Sequence, residues 1–182
     1  MKKFSNDSKN NMNKGNISLE NTFEKAVRLL CQYIPIEKNR KKPLLMHDLR
    51  VGLYLYEQDH VEEVVLAGLL HDIIEWTDCT EECIQNAFGP RVLALILANT
   101  KDRKILDEVD RQQDIMRRCL LIGEDAFIVK AADTLDSYSF YRSTHNQEEI
   151  QRALLISKMI LESIPSTMQN PIFKKLVELE CF

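Results

Sequence analysis

Two histidines and two aspartates stand in runs of sequence where ionisable groups are expensive. His47 lies among Leu44, Leu45, Leu49 and Val51; His71 and Asp72 interrupt Leu69, Leu70, Ile73 and Ile74; Asp133 falls between Phe127, Ile128, Val129 and Leu135. An ionised carboxylate in such a setting costs several kcal/mol unless it is paired or bound to a cation. One histidine on an apolar helix is more often a hydrogen-bonded core residue than a ligand. Two histidines and two aspartates on three apolar helices have a joint explanation: if the helices pack together, one divalent cation satisfies all four. Neutral imidazole and carboxylate suit Mn, Fe, Zn or Mg, and no thiolate favours a softer metal. Glu75 follows His71 by four residues and Asp72 by three, on the same helical face. There it can orient a water beside a cation or take its proton, unless it is a solvated glutamate near a helix end. Trp76, next to it, is either core or the wall of a pocket.

The elements that must carry these residues read as helix after helix, with few β-type alternations. Ser18 can cap a first helix bearing Phe23, Val27, Leu30 and Cys31 and ended by Pro35. Pro43 opens a second, and Asp59 is placed to cap a third that runs through His71 and Asp72. Thr80 caps a short helix ending at Gly89, and Pro90 begins the next in the favoured first-turn position. Helices over 107–121, over 124–140, near 147–162 and after Pro171 complete the series. Gly123 and Glu124 look like ordinary turn and first-turn chemistry. Five glycines and five prolines leave room only for short loops, so residues 17–182 are expected to form one compact all-α bundle. Residues 1–16, basic and asparagine-rich, are expected to be a disordered tail. His60 and His145 have polar surroundings and read as surface residues.

At 182 residues the chain has room for one core. A net charge of −4 argues against a DNA- or RNA-binding surface. No apolar run approaches the ~20 residues that span a bilayer, and the absence of a secretory leader implies a cytoplasmic protein. Five cysteines (Cys31, Cys79, Cys83, Cys119, Cys181) without a CxxC suggest reduced thiols rather than a disulfide framework or zinc site. Oligomeric state is not written in these features.

The order His47 … His71-Asp72 … Asp133 resembles the HD superfamily of metal-dependent phosphohydrolases. More narrowly, the chain resembles the hydrolase domain of RelA/SpoT-type enzymes and the small stand-alone alarmone hydrolases. The similarity rests on four stretches in order: "RKKPLLMH", "VVLAGLLHDIIEWTDCT", "FGPRVLALI" and "IVKAADTLDS". The resemblance implies an HD-type helical bundle that removes the 3′-pyrophosphate from (p)ppGpp with Mn²⁺. It implies His47, His71, Asp72 and Asp133 as metal ligands, Glu75 as the catalytic glutamate, and Arg40 and Lys41 as the basic pair meeting the nucleotide. Lys130 matches the family's lysine three residues before the last ligand; it could equally cover the core with its stem.

The departures fall around the substrate. Trp76 replaces the second acid of the family's HDxxED segment, Ser137 replaces an asparagine that touches the ribose, and Ser139 replaces an arginine. Tyr138, Phe140, Tyr141 and Arg142 are then candidates for a substitute nucleotide wall. Two rival readings follow: a phosphatase acting on another nucleotide, such as the 2′-phosphate of NADPH, or an inactive HD domain that binds a nucleotide or a partner. A purely structural bundle would leave the buried histidines and aspartates unexplained.

Overall fold

Asn16 accepts a hydrogen bond from the Leu19 amide and so starts α1 (Ile17–Tyr33), two residues ahead of the Ser18 cap suggested by the sequence. The cap sits there because the chain before it is tied down. Asn13 donates its side-chain amide to the carbonyls of Tyr56 and His60, its backbone N–H to Asp59 Oδ1, and accepts from the Tyr56 hydroxyl. The end of the expected tail is thus part of the fold. Asp59, expected to cap the third helix, has a left-handed backbone (φ 59°) and gives its carboxylate to Asn13 instead. The computed structural model describes residues 12–34 and 41–179; residues 1–11, Pro35, Arg40 and Cys181 lie outside them.

Among the described residues there is no strand. After α1 come α2 (Leu44–Glu57), opened by Pro43 as expected, and α3 (Glu62–Leu70). The third helix does not run on through the acid–histidine doublet. It stops at Leu70, His71 and Asp72 form a turn, and a single-turn α4 (Ile73–Trp76) restarts the chain. The stop is local chemistry: the His71 ring Nδ1–H donates to the Gly68 carbonyl at 2.8 Å, taking one of the acceptors that a helix end leaves without a partner. Helix α5 (Glu81–Asn99) is capped by Thr80 and kinked at Gly89 (φ 88°, ψ 168°) before Pro90, where the sequence predicted one helix ending and another beginning. Then follow α6 (Glu108–Ile122), α7 (Glu124–Ser143), α8 (Gln147–Ser163) and α9 (Ile172–Leu179). Glu124 does more than open α7: its carboxylate accepts the Asn170 backbone N–H, tying α7 to the approach of α9.

Leu19, Ala26 and Leu30 of α1 share a core with nearly all of α3, the inner faces of α5 and α7, and Ile172, Phe173 and Leu176 of α9. Two glycines set how closely α2 and α3 approach. A Cβ on Gly52 would lie 2.8 Å from Leu69 Cβ and 3.1 Å from Leu69 Cα, and one on Gly68 would overlap Leu55 Cδ1. That approach brings His47 on α2 beside His71 at the end of α3. His60 is half-buried rather than superficial, and burial pulls its imidazole below the ordinary value. His145 is exposed, as expected. Cys31, Cys79, Cys83 and Cys119 are free thiols. No helix among the described residues is long and apolar enough to cross a membrane.

Candidate metal centre

The end of α3, the middle of α7 and the first turns of α2 meet at four side chains. His47 Nε2 lies 3.2 Å from His71 Nε2 and 3.1 Å from Asp133 Oδ1; His71 Nε2 lies 3.6 Å from both Asp133 Oδ1 and Asp72 Oδ1. Asp72 Oδ2 is 4.0 Å from His47 Nε2. The four residues singled out in the sequence therefore converge on one point, with both histidines buried.

The rings are held so that their Nε2 atoms face this point. His71 Nδ1 donates to the Gly68 carbonyl, which can only accept, so its proton is on Nδ1. His47 Nδ1 lies 2.6 Å from Asp136 Oδ2, and that carboxylate is held by Arg50 through Nε to Oδ1 (2.6 Å) and Nη2 to Oδ2 (2.9 Å). A carboxylate behind His47 and a backbone carbonyl behind His71 are the kinds of partner that fix tautomer and direction in metal sites. Two inward imidazole lone pairs and two carboxylates make a donor set that fits a divalent cation.

The electrostatics agree. Burial alone would lower the His71 imidazole, yet Asp72, Asp133 and Asp48 hold it up at about 10. Burial would raise the Asp133 carboxyl, but Lys130, His47 and His71 keep it well below the usual range. Asp72 is likewise held low against its burial by His71, His47 and Lys42. The cluster demands positive charge, which a proton or a metal ion can supply. Lys42 approaches it directly: its Nζ is 2.8 Å from His47 Nε2, donates to Ser137 Oγ at 2.8 Å and lies 3.8 Å from Asp133 Oδ1.

Asp72 and Asp133 open into a cavity of about 750 Å³ bounded by α2, α4, α6, α7, α8 and the loop after α5. Six cationic side chains line it (Lys41, Lys42, Lys101, Arg103, Lys130 and Arg152) against four acidic ones (Asp72, Glu75, Asp133 and Glu149). Glu75 is on this wall and is no solvated helix end: Oε1 accepts from Lys101 Nζ at 2.9 Å and Oε2 from the Lys101 backbone N–H at 3.3 Å. Lys130 is buried and donates to Asp133 Oδ2 at 2.9 Å. Ser137 lines the cavity and donates to Asp133 Oδ1 at 3.3 Å. Lys41 pairs with Glu149 at 2.5 Å. Trp76 is a wall residue, 41% exposed, with Arg103 and Lys101 over its ring. Tyr141 lines the cavity, whereas Arg142 is exposed on the last turn of α7 and does not; Arg40 lies outside the described residues.

Residues 26–156 match the HD domain family. The chain belongs to the HD-domain family. The chain of this HD-domain protein is 32% identical, over 68% of its length, to the guanosine-3′,5′-bis(diphosphate) 3′-pyrophosphohydrolase of Aquifex aeolicus, but spans only 20% of that protein. With the Drosophila melanogaster enzyme of the same name it shares 26% identity over 82% of this chain and 90% of the other. A solved structure described as a metazoan ortholog of SpoT that hydrolyzes ppGpp superposes with a TM-score of 0.72. The match covers 87% of this chain and 93% of the other at 22% identity, a likeness of fold.

Several residues of the site were missed in the sequence. Asp48 is fully buried with both oxygens unpartnered, 3.7 Å from His71 Nδ1, and burial followed by the charge of Asp72 pushes its carboxyl well above the ordinary range. Its signal was present, since His47-Asp48 repeats the doublet His71-Asp72. Asp136 follows Asp133 at i+3 on the same helical face. Lys101 and Arg103 sit in a polar loop far along the chain from Glu75, and no spacing rule links them.

Proposed function

We propose that this HD domain is a divalent-metal-dependent phosphohydrolase that removes the 3′-pyrophosphate from (p)ppGpp, a small nucleotide of the cytoplasm, with Mn²⁺ as its working ion. The observation that carries the reading is the convergence of two imidazole Nε2 atoms with Asp72 and Asp133 beside a cavity lined by six cations. The names of the similar Aquifex and Drosophila proteins support the substrate.

His47, His71, Asp72 and Asp133 would hold the ion, which supplies Lewis-acid chemistry and lowers the pKa of water. Every remaining task falls to the chain itself. Glu75, pinned by Lys101 through both oxygens, would orient the attacking water and accept its proton. Lys41, Lys42 and Lys130 would neutralise the phosphate oxygens, joined by Lys101 and Arg103 from the loop after α5. Ser137 would position Lys42, to which it is bonded, against the substrate. Arg40 keeps the phosphate-binding role implied by resemblance, and Arg142 would reach a ligand only outside the cavity.

The test is release of pyrophosphate from ppGpp by the purified chain with Mn²⁺, with Asp72→Ala as the blank. Turnover above the blank supports the reading. Absence of turnover by a metal-loaded chain refutes it; phosphate release from NADPH would then favour the other-nucleotide reading, and neither activity an inactive binding domain.

A further inference from the structure

Gln112, on α6, lies in the wall of the same cavity and has no part in the reaction just described. It is only 2% exposed, and neither its Nε2 nor its Oε1 has a hydrogen-bond partner. A buried carboxamide with both ends unmet lowers stability relative to an apolar side chain of the same shape. Leu44, Ala153 and Ile156 are the aliphatic residues that line the cavity with it, the last two on α8, against which α6 packs.

We infer that Gln112 is a specificity residue that reads the hydrogen-bonding edge of the purine base, an inference that rests on the nucleotide-hydrolase reading above. A carboxamide offers an acceptor and a donor side by side. Phosphate offers acceptors only and would leave Oε1 unmet, and the cations already provide for it. A purine edge supplies the complement: N1–H beside O6 in guanine, or N6–H beside N7 in adenine. The flat apolar faces of a base also suit a wall containing Leu44, Ala153 and Ile156.

The experiment is calorimetric titration of GDP and ADP into the full chain with Mn²⁺, for wild type, Gln112→Leu and Gln112→Glu, with thermal melts and ppGpp kinetics. Gln112→Leu removes an unpaired amide, so its Tm without nucleotide should rise, by about 2–4 °C for each kcal/mol gained. Its GDP affinity should fall about tenfold, and KM for ppGpp should rise while kcat holds. Gln112→Glu should raise the GDP:ADP affinity ratio at least about tenfold, because guanine gives a carboxylate both N1–H and N2–H while adenine sets a ring lone pair against it. Unchanged affinities in both variants, a lower Tm in Gln112→Leu, or a wild-type chain that binds neither nucleotide would overturn the inference. Turnover of ppGpp with a KM indifferent to Gln112 sinks this inference alone. Gln112-dependent nucleotide binding without turnover sinks the hydrolase reading and leaves this one standing.

Discussion

Replacing Asp136 asks whether His47 is held as a metal ligand must be. The carboxylate accepts from His47 Nδ1 at 2.6 Å, and Arg50 grips both of its oxygens. In Asp136→Ala the imidazole loses its acceptor, can rotate, and can move its proton to Nε2, where it would face the ion. Loss of such a partner costs about 10–100-fold in metal affinity, which is about 1.4–2.8 kcal/mol. Asp136→Asn keeps an acceptor without the charge and should fall at the lower end, near tenfold. Folding should suffer as well, by about 1–3 kcal/mol, because the Asp136 side chain is only 13% exposed and its loss leaves the buried His47 Nδ1 without an acceptor. The assay is calorimetric titration of Mn²⁺ into the three proteins, with pyrophosphate release at saturating Mn²⁺ as a second readout. Wild-type Mn²⁺ affinity in Asp136→Ala would refute the reasoning, because the ring would then need no support.

Gly52→Ala should lower Tm by several degrees and weaken Mn²⁺ binding. Its Cβ would meet Leu69 Cβ at 2.8 Å and Cα at 3.1 Å, overpacking costs about 1–3 kcal/mol, and an unchanged melt would contradict the close approach of α2 and α3. Asn13→Ala removes the side-chain donors to Tyr56 and His60 and should speed amide exchange in the first turn of α1; unchanged protection there would show the anchor idle. Burial pushes the Cys119 thiol up to about 12, and burial followed by Cys83 does the same for Cys79. A raised folded pKa favours the fold while the thiols stay protonated. That contribution is complete below the unfolded value of about 8.5 and is lost as pH climbs towards 12. Denaturant midpoints should therefore fall above pH 8.5. At pH 8 exposed Cys31 should alkylate well before Cys119, and equal rates by peptide mapping would count against the burial.

The helical series and the convergence of His47, His71, Asp72 and Asp133 were legible because apolar periodicity and misplaced charge are both local signals. The break at His71 was not. It depends on a ring N–H reaching the Gly68 carbonyl, and an apolar run looks the same whether the helix continues or turns. The anchoring of Asn13 was hidden for a related reason: composition marked the segment as polar, while its partners Tyr56, Asp59 and His60 lie more than forty residues away. Glu75 was read onto one helical face with His71, a face that the turn at His71 and Asp72 interrupts; it lines the same cavity as Asp72 and Asp133, and its clamp by Lys101 comes from tertiary folding. Gln112 looked like any polar residue of a polar helix until its burial was known.

The chain's single tryptophan stands on the cavity wall with the Arg103 guanidinium 5.1 Å and the Lys101 ammonium 5.8 Å from its ring centre. Cations held over an indole by its quadrupole perturb the excited state as well as the ground state. A polyanion entering the cavity competes for the same two charges, so filling and emptying should register in the emission of unlabelled protein. With no second indole to blur the signal, the side chain that stands where related motifs carry an acid makes this protein its own optical gauge, fast enough to follow single turnovers in a stopped-flow mixer.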